Sequence, residues 1–161
     1  MQKVYAIIIV CVAIVLIGAA SSVDHVRVID GDTIEVRING KIEKVRLAGI
    51  DCPERNQQGG STATEFAKLL LKDGIKEIKS KKRDRYGRLI GWVILKDGRN
   101  LNNELVAHGH AWWYRKYSKG NLELKALESK ARRLRIGIWK ASTSPIAPWD
   151  WRKQSRKSRK K

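Results

Sequence analysis

Two stretches of strict alternation bracket an Asn-Gly pair, and no other feature of this chain limits its folding choices so tightly. Ile34, Val36 and Ile38 alternate with Glu35 and Arg37, Val45 and Leu47 alternate with Lys44 and Arg46, and Asn39-Gly40 lies between the two runs. A period of two gives a strand with one apolar face, and Asn-Gly supplies the positive-φ pair that a tight antiparallel turn needs. The chain therefore contains a β-hairpin with one face turned to a core. Val26 and Val28 predict a strand ahead of it, and Ile75–Lys79 and Leu89–Leu95 predict two more behind it.

Helical signals fall between and after these strands. Thr62 followed by Glu65 has the spacing of a capping box, with Phe66, Leu69 and Leu70 on one face and Gly74 as the stop. Asn100 is placed to cap a second helix that ends at Gly109. In a third, Leu124, Leu127, Ala131 and Leu134 follow helical spacing, charged residues fall largely outside that stripe, and Gly137 ends it. Three consecutive strands, a helix and two further strands predict a mainly β, α+β fold: a five-stranded OB-type barrel with three packed helices. Closure of the barrel does not follow from periodicity.

The 161 residues suit one such domain with short appendages. Residues 1–22 hold Lys3, an uncharged run from Val4 to Ala20 and then small residues, the pattern of a signal peptide, although the run also reaches the lower limit for a membrane anchor. An exported protein is expected, secreted, periplasmic or on the cell surface, with transient membrane contact through this segment. Residues 23–140 form the folded domain. Residues 141–161 read as a Ser/Pro linker and a disordered basic tail. Cleavage of the leader would leave Cys52 without a partner, so a monomer held by packing alone is expected.

Lys and Arg number 34 against 16 Asp and Glu, a formal charge of +18, which points to a polyanionic partner. In so basic a chain two acidic clusters at strand ends are informative: Asp30-Gly31-Asp32-Thr33 and Asp51-Cys52-Pro53-Glu54. Each alone reads as an ordinary turn. Together, Asp32, Asp51 and a nearby backbone carbonyl offer the hard oxygen donors that a calcium-type cation takes. Pro53 fixes the separation of Asp51 from Glu54, so that one can bind metal while the other serves as a base. Arg46, at the end of the third strand, and Arg88, in Asp84-Arg85-Tyr86-Gly87-Arg88, are planar donors able to flank one phosphate. Trp112, Trp113, Tyr114 and Tyr117 lie among basic residues and offer a surface for stacked bases, although at least one Trp fits a core position. His108 and His110 have no carboxylate nearby in sequence and read as structural.

Three segments, Val28–Thr33, Val45–Glu54 and Asp84–Arg88, together resemble the signature blocks of the thermonuclease family, the staphylococcal nuclease homologues, in residue, order and spacing. The resemblance spans about Val23 to Trp139. It implies an OB barrel and a Ca²⁺-dependent endonuclease or exonuclease that hydrolyses DNA and RNA to 3′-phosphate ends. Carried over by position, Asp32 and Asp51 are carboxylate ligands, the Cys52 carbonyl is a third, Glu54 is the general base, and Arg46 and Arg88 hold the phosphate. Cys52 replaces a Thr of the family, which leaves a main-chain ligand unaffected. Tyr117 matches a family base-stacking position, whereas Tyr114 is displaced from its counterpart; Tyr86, Tyr114 and Tyr117 are the candidate substrate contacts. The rival reading is a non-catalytic nucleic-acid-binding barrel or a surface DNA-capture protein. A pure binder has no use for carboxylates facing phosphates, and that disfavours it.

Overall fold

The computed structural model describes residues 23–140 and 144–158. The hairpin forms where alternation puts it: β2 (Thr33–Ile38) pairs antiparallel with β3 (Lys41–Leu47), with Asn39 and Gly40 both at positive φ in the turn. Ile34, Val36, Val45 and Leu47 are buried on its inner face. Ahead of it, β1 (Val23–Asp30) adds antiparallel to β2. The two-residue β4 (Ile50–Asp51) follows the hairpin, then α1 (Gly60–Leu71), β5 (Ile75–Arg83) and β6 (Leu89–Leu95). β6 pairs in parallel with β3 and antiparallel with β5, giving the order β1-β2-β3-β6-β5. The sheet curls into a half-barrel around the apolar interior, and its two outer strands, β1 and β5, approach each other without pairing.

Three further helices follow: α2 (Leu101–Ala107), α3 (Leu122–Arg133) and α4 (Pro148–Ser158); between α2 and α3 lies the short β7 (Trp112–Trp113). Asn100 caps α2 as expected, its side chain accepting from the Asn102 and Asn103 amides. The expected capping box at Thr62 is not formed. α1 begins earlier, behind Gly59 in the left-handed region and without a side-chain cap, because Gly60 packs against the Glu54 carbonyl where a Cβ would collide. Its buried stripe is Ala63, Ala67, Leu70 and Leu71, while Leu69 faces solvent. Likewise Leu134, expected on the apolar stripe of α3, is exposed at the helix end.

The largest correction concerns the C-terminus. From Pro148 the chain is a fourth helix rather than a disordered tail, with Pro at the first helical position, Asp150 in the first turn and Arg156 and Lys157 in the last, each placed where the backbone dipole and the missing N–H favour it. The leader expected in residues 1–22 lies outside the described residues. Among the described residues no helix is long and apolar enough to cross a membrane.

One buried polar side chain holds the two halves of the barrel in register. Asn102, fully buried on α2, donates to the carbonyls of Ala48 (2.9 Å) and Gly91 (3.2 Å) and accepts from the Val93 amide (3.1 Å). It thereby ties the turn after β3 to the middle of β6. Leucine there fills similar space but leaves buried backbone groups without partners, so Asn102→Leu should lose about 2–4 kcal/mol of stability in urea unfolding.

His110 is packed against Phe66, with ring centroids 4.3 Å apart, and burial, aided by repulsion from His108, lowers its pKa from 6.5 to about 4. Its folded pKa is below its unfolded one, so its contribution is intact above pH 6.5 and is lost as pH falls towards 4. His110→Gln should flatten the fall of thermal midpoint across that window.

Candidate active site

The acidic clusters meet because backbone geometry brings them together. Gly31 sits where an added Cβ would lie 2.9 Å from both Ala63 Cβ and Cys52 Cβ, so only glycine lets the β1–β2 turn close on α1 and on the 51–54 segment. The next residue, Asp32, then accepts from the Cys52 amide at 2.7 Å, and its carbonyl accepts from the Leu47 amide at 2.8 Å. Asp51 is placed by a two-residue ladder in which β4 pairs with β7, Asp51 opposite Trp112 and Ile50 opposite Trp113. The Tyr114 amide extends this ladder by donating to Gly49. Trp112 and Trp113 are both buried, and Trp113 Nε1 donates to Ser118, so these rings serve packing and not base stacking.

Arg46 is clamped between the two acids. Its Nη2 lies 2.8 Å from Asp51 Oδ1 and 3.1 Å from Asp32 Oδ2, and its Nη1 donates to the carbonyls of Leu47 and Ile50. One nitrogen therefore touches both carboxylates, and their oxygens converge on one point. Burial raises the Asp51 pKa above the usual carboxylate range; the neighbouring Asp32 charge adds to this, while Arg152 and Arg46 oppose it. Asp30, behind them, is pushed up to about 6, first by burial and then by Asp32. Burial also raises the Cys52 thiol well above its ordinary value, so its side chain remains a neutral, small packing group.

Glu54 stands at the rim, its amide bonded to the Gln57 side chain at 3.1 Å. Arg152 of α4 reaches it: Nη1 contacts Glu54 Oε1 at 2.6 Å, and Nη2 contacts Asp51 Oδ2 at 2.7 Å. Arg88 is not drawn into this cluster. Asp84 holds it in a two-point ion pair, with Nε and Nη2 each 2.8 Å from Oδ2, at the entrance to β6. Arg46 is in register with Ile90, and Arg88 stands two residues before Ile90, so alternation places both arginines on the same sheet face, about 7 Å apart along the strand.

The expected aromatic contacts divide. Tyr86 and Tyr117 are exposed, with Arg85 over the first ring and Lys116 over the second. Tyr114 stacks on Trp149 of α4, nearly parallel at 5.4 Å, and meets Tyr117 edge-on at 4.9 Å. Arg152 and Trp149 were missed by sequence reasoning because seven basic residues after Trp149 read as a solvated charge run; Pro148 and Asp150 carried a helix-start signal that could have found them.

Chemically the cluster suits a hard cation. Its donors are carboxylate oxygens, two of them converge, and positive groups already lie against them. Among the described residues no group of three or more His, Cys, Asp or Glu side chains is assembled as a metal cage. Asp32 and Asp51 would hold such an ion with help from a backbone carbonyl, solvent or substrate.

Comparison with known proteins agrees with this geometry. The family model described as staphylococcal nuclease homologue matches residues 44–141. An uncharacterized endonuclease of Escherichia coli O157:H7 is 40% identical over 127 residues, which is 79% of this chain and 82% of that protein. A micrococcal nuclease of Shigella flexneri is 38% identical, covering 81% of this chain and 80% of its own. A staphylococcal-like nuclease of Arabidopsis thaliana is 34% identical over 70% of this chain, but only 34% of its own longer length.

Because Arg46 neutralises two buried acids, Arg46→Met should cost about 3–5 kcal/mol of folding stability. Arg99→Met, which breaks an exposed pair with Asp97, should cost less than about 1 kcal/mol. Equilibrium unfolding of both variants tests the contrast.

Proposed function

The chain belongs to the family of staphylococcal nuclease homologues and is a nuclease, a hydrolase acting on nucleic acids, and on that premise we propose that it cleaves phosphodiester bonds of both DNA and RNA with Ca²⁺ as cofactor, leaving 3′-phosphate ends. The observation that carries this reading is the convergence of Asp32 and Asp51 on one cationic group, the Arg46 guanidinium, with Glu54 at the rim.

Asp32, Asp51 and the Cys52 carbonyl are the ligands in this reading. A Ca²⁺ ion held by these groups would supply the positive charge that polarises the scissile phosphate. Glu54 accepts the proton of an attacking water as the new P–O bond forms. The P–O5′ bond breaks, the 5′-oxygen leaves with a proton as a hydroxyl, and the phosphate stays on the 3′ side. Arg88, held by Asp84 on the outer face, swings its fork to the phosphoryl oxygens, where it stabilises the charge that grows during attack. Both terminal nitrogens of Arg46 are engaged with carboxylates and carbonyls, so Arg46 contributes to the phosphate chiefly as fixed charge behind the acids. Tyr86 and Tyr117, with exposed rings, offer faces for bases, and Tyr114 does so once its partner ring moves aside.

With few protein ligands the ion binds weakly, near the roughly 10⁻⁴ to 10⁻³ M range of extracellular calcium modules. That suits an exported enzyme, the destination we propose from residues 1–22; mass spectrometry of the mature chain tests it.

Purified protein should degrade single-stranded DNA and RNA with Ca²⁺, less with Mg²⁺, and not at all with chelator. Glu54→Gln and Arg88→Lys should each lower kcat about 100- to 1000-fold. Full activity in either variant assigns its role elsewhere, and intact polynucleotide after long exposure to enzyme and Ca²⁺ overturns the reading.

A further inference from the structure

α4 touches both halves of the cleft at once. Trp149 and Arg152 are three residues apart, one helical turn, and so share a face. Trp149 covers the Tyr114 ring, 5.4 Å away and within 4° of parallel. Arg152 fills the space between Asp51 and Glu54, bonded to both. The guanidinium here takes up one proposed metal ligand and the proposed base, and an indole on a tyrosine face is an aromatic ring in the place of a nucleobase.

The rest of the helix is lightly attached. Pro148 is its only buried residue, and Lys153, Arg156 and Lys157 face solvent. The segment before it is tied down by Gln57 Nε2, which donates to the Ile146 carbonyl at 2.6 Å. Trp149 also packs beside the Trp112–Ala131–Trp139 cluster, so the contact most open to displacement by competing charge is the partly exposed pair of Arg152 with Glu54, since exposed ion pairs contribute little to stability. A divalent cation held by Asp32 and Asp51 competes with Arg152 for Asp51. A phosphate chain competes for Arg152 and, once α4 has lifted, also gains Lys153 and Arg156.

We infer that α4 is an autoinhibitory plug, with Arg152 occupying the Asp51 and Glu54 carboxylates that metal and attacking water need and Trp149 standing in for a nucleobase, and that cation and polynucleotide together open the site by lifting it. This rests on the nuclease reading of the cleft. Asp51 cannot bind a divalent ion at full strength beside a second guanidinium, since the two positive charges share one carboxylate. Metal and substrate therefore bind cooperatively, each removing a barrier to the other.

The test is calorimetric titration of Ca²⁺ alone into the full chain, with far-ultraviolet circular dichroism to confirm that each variant is folded. Arg152→Gln should bind Ca²⁺ at least about 10-fold more tightly than the wild type. Trp149→Ala, which alters no charge, should tighten binding a few-fold by loosening the same helix. Lys157→Gln, which removes one exposed charge from α4, should leave affinity unchanged. In the wild type, Ca²⁺ with an uncleavable phosphorothioate oligonucleotide should speed trypsin cleavage within residues 152–157. Equal Ca²⁺ affinity in wild type, Arg152→Gln and Trp149→Ala overturns the plug and leaves the metal reading standing. Tightening in Arg152→Gln alone shows local repulsion without helix release, and also overturns it. Binding that survives Asp51→Asn in the Arg152→Gln background, or no binding in any variant, overturns the metal reading and the plug with it.

Discussion

Two carboxylates held face to face and shut away from water repel each other, and neither stays charged unless a cation stands between them. Arg46 is that cation. Its position at the end of β3 follows from the hairpin alternation that sends Val45 and Leu47 inward, and its terminal nitrogens bind Asp51, Asp32 and two carbonyls of the adjoining turn. Much of the surrounding architecture serves to bring the acids within its reach: the bare backbone at Gly31 on one side and the β4–β7 ladder on the other. Taking these charges out of water is costly even when they are paired.

Much of the fold could be read along the chain because it depends on local pattern. The hairpin, the strands on each side of α1 and the Asn100 cap all arise from spacing that is visible within about ten residues. The failures were of a different kind. Thr62 and Glu65 have capping-box spacing, but the helix start is set earlier by the contact of Gly60 with the Glu54 carbonyl, which no local pattern reveals. The aromatic pair Trp112-Trp113 read partly as a stacking surface because its burial depends on β4 and α3, which are distant in sequence.

The site itself was legible to the extent that its residues cluster in short blocks. Asp32, Arg46 and Asp51 are expected together from their short blocks, and the structure joins them through side-chain contacts that span at most about twenty residues. Arg88 lies on the same sheet face as Arg46 but is paired locally with Asp84. Arg152 lies about a hundred residues beyond Asp51, and only the folded chain shows their contact. A run of basic residues gives no hint of which member will find a buried acid, because that choice is made by helix phase and by the point where the preceding segment is anchored.

The β4–β7 ladder carries one more implication, for the order of events during synthesis. Asp51 is held in place by Trp112, whose ring packs edge-on against Trp139. A ribosome that has released only the first hundred residues has made every acid of the cluster, yet the β7 partner of the strand on which Asp51 rides is still missing. Competence to cut therefore arrives with the last third of the polypeptide, after the hairpin has had ample time to form.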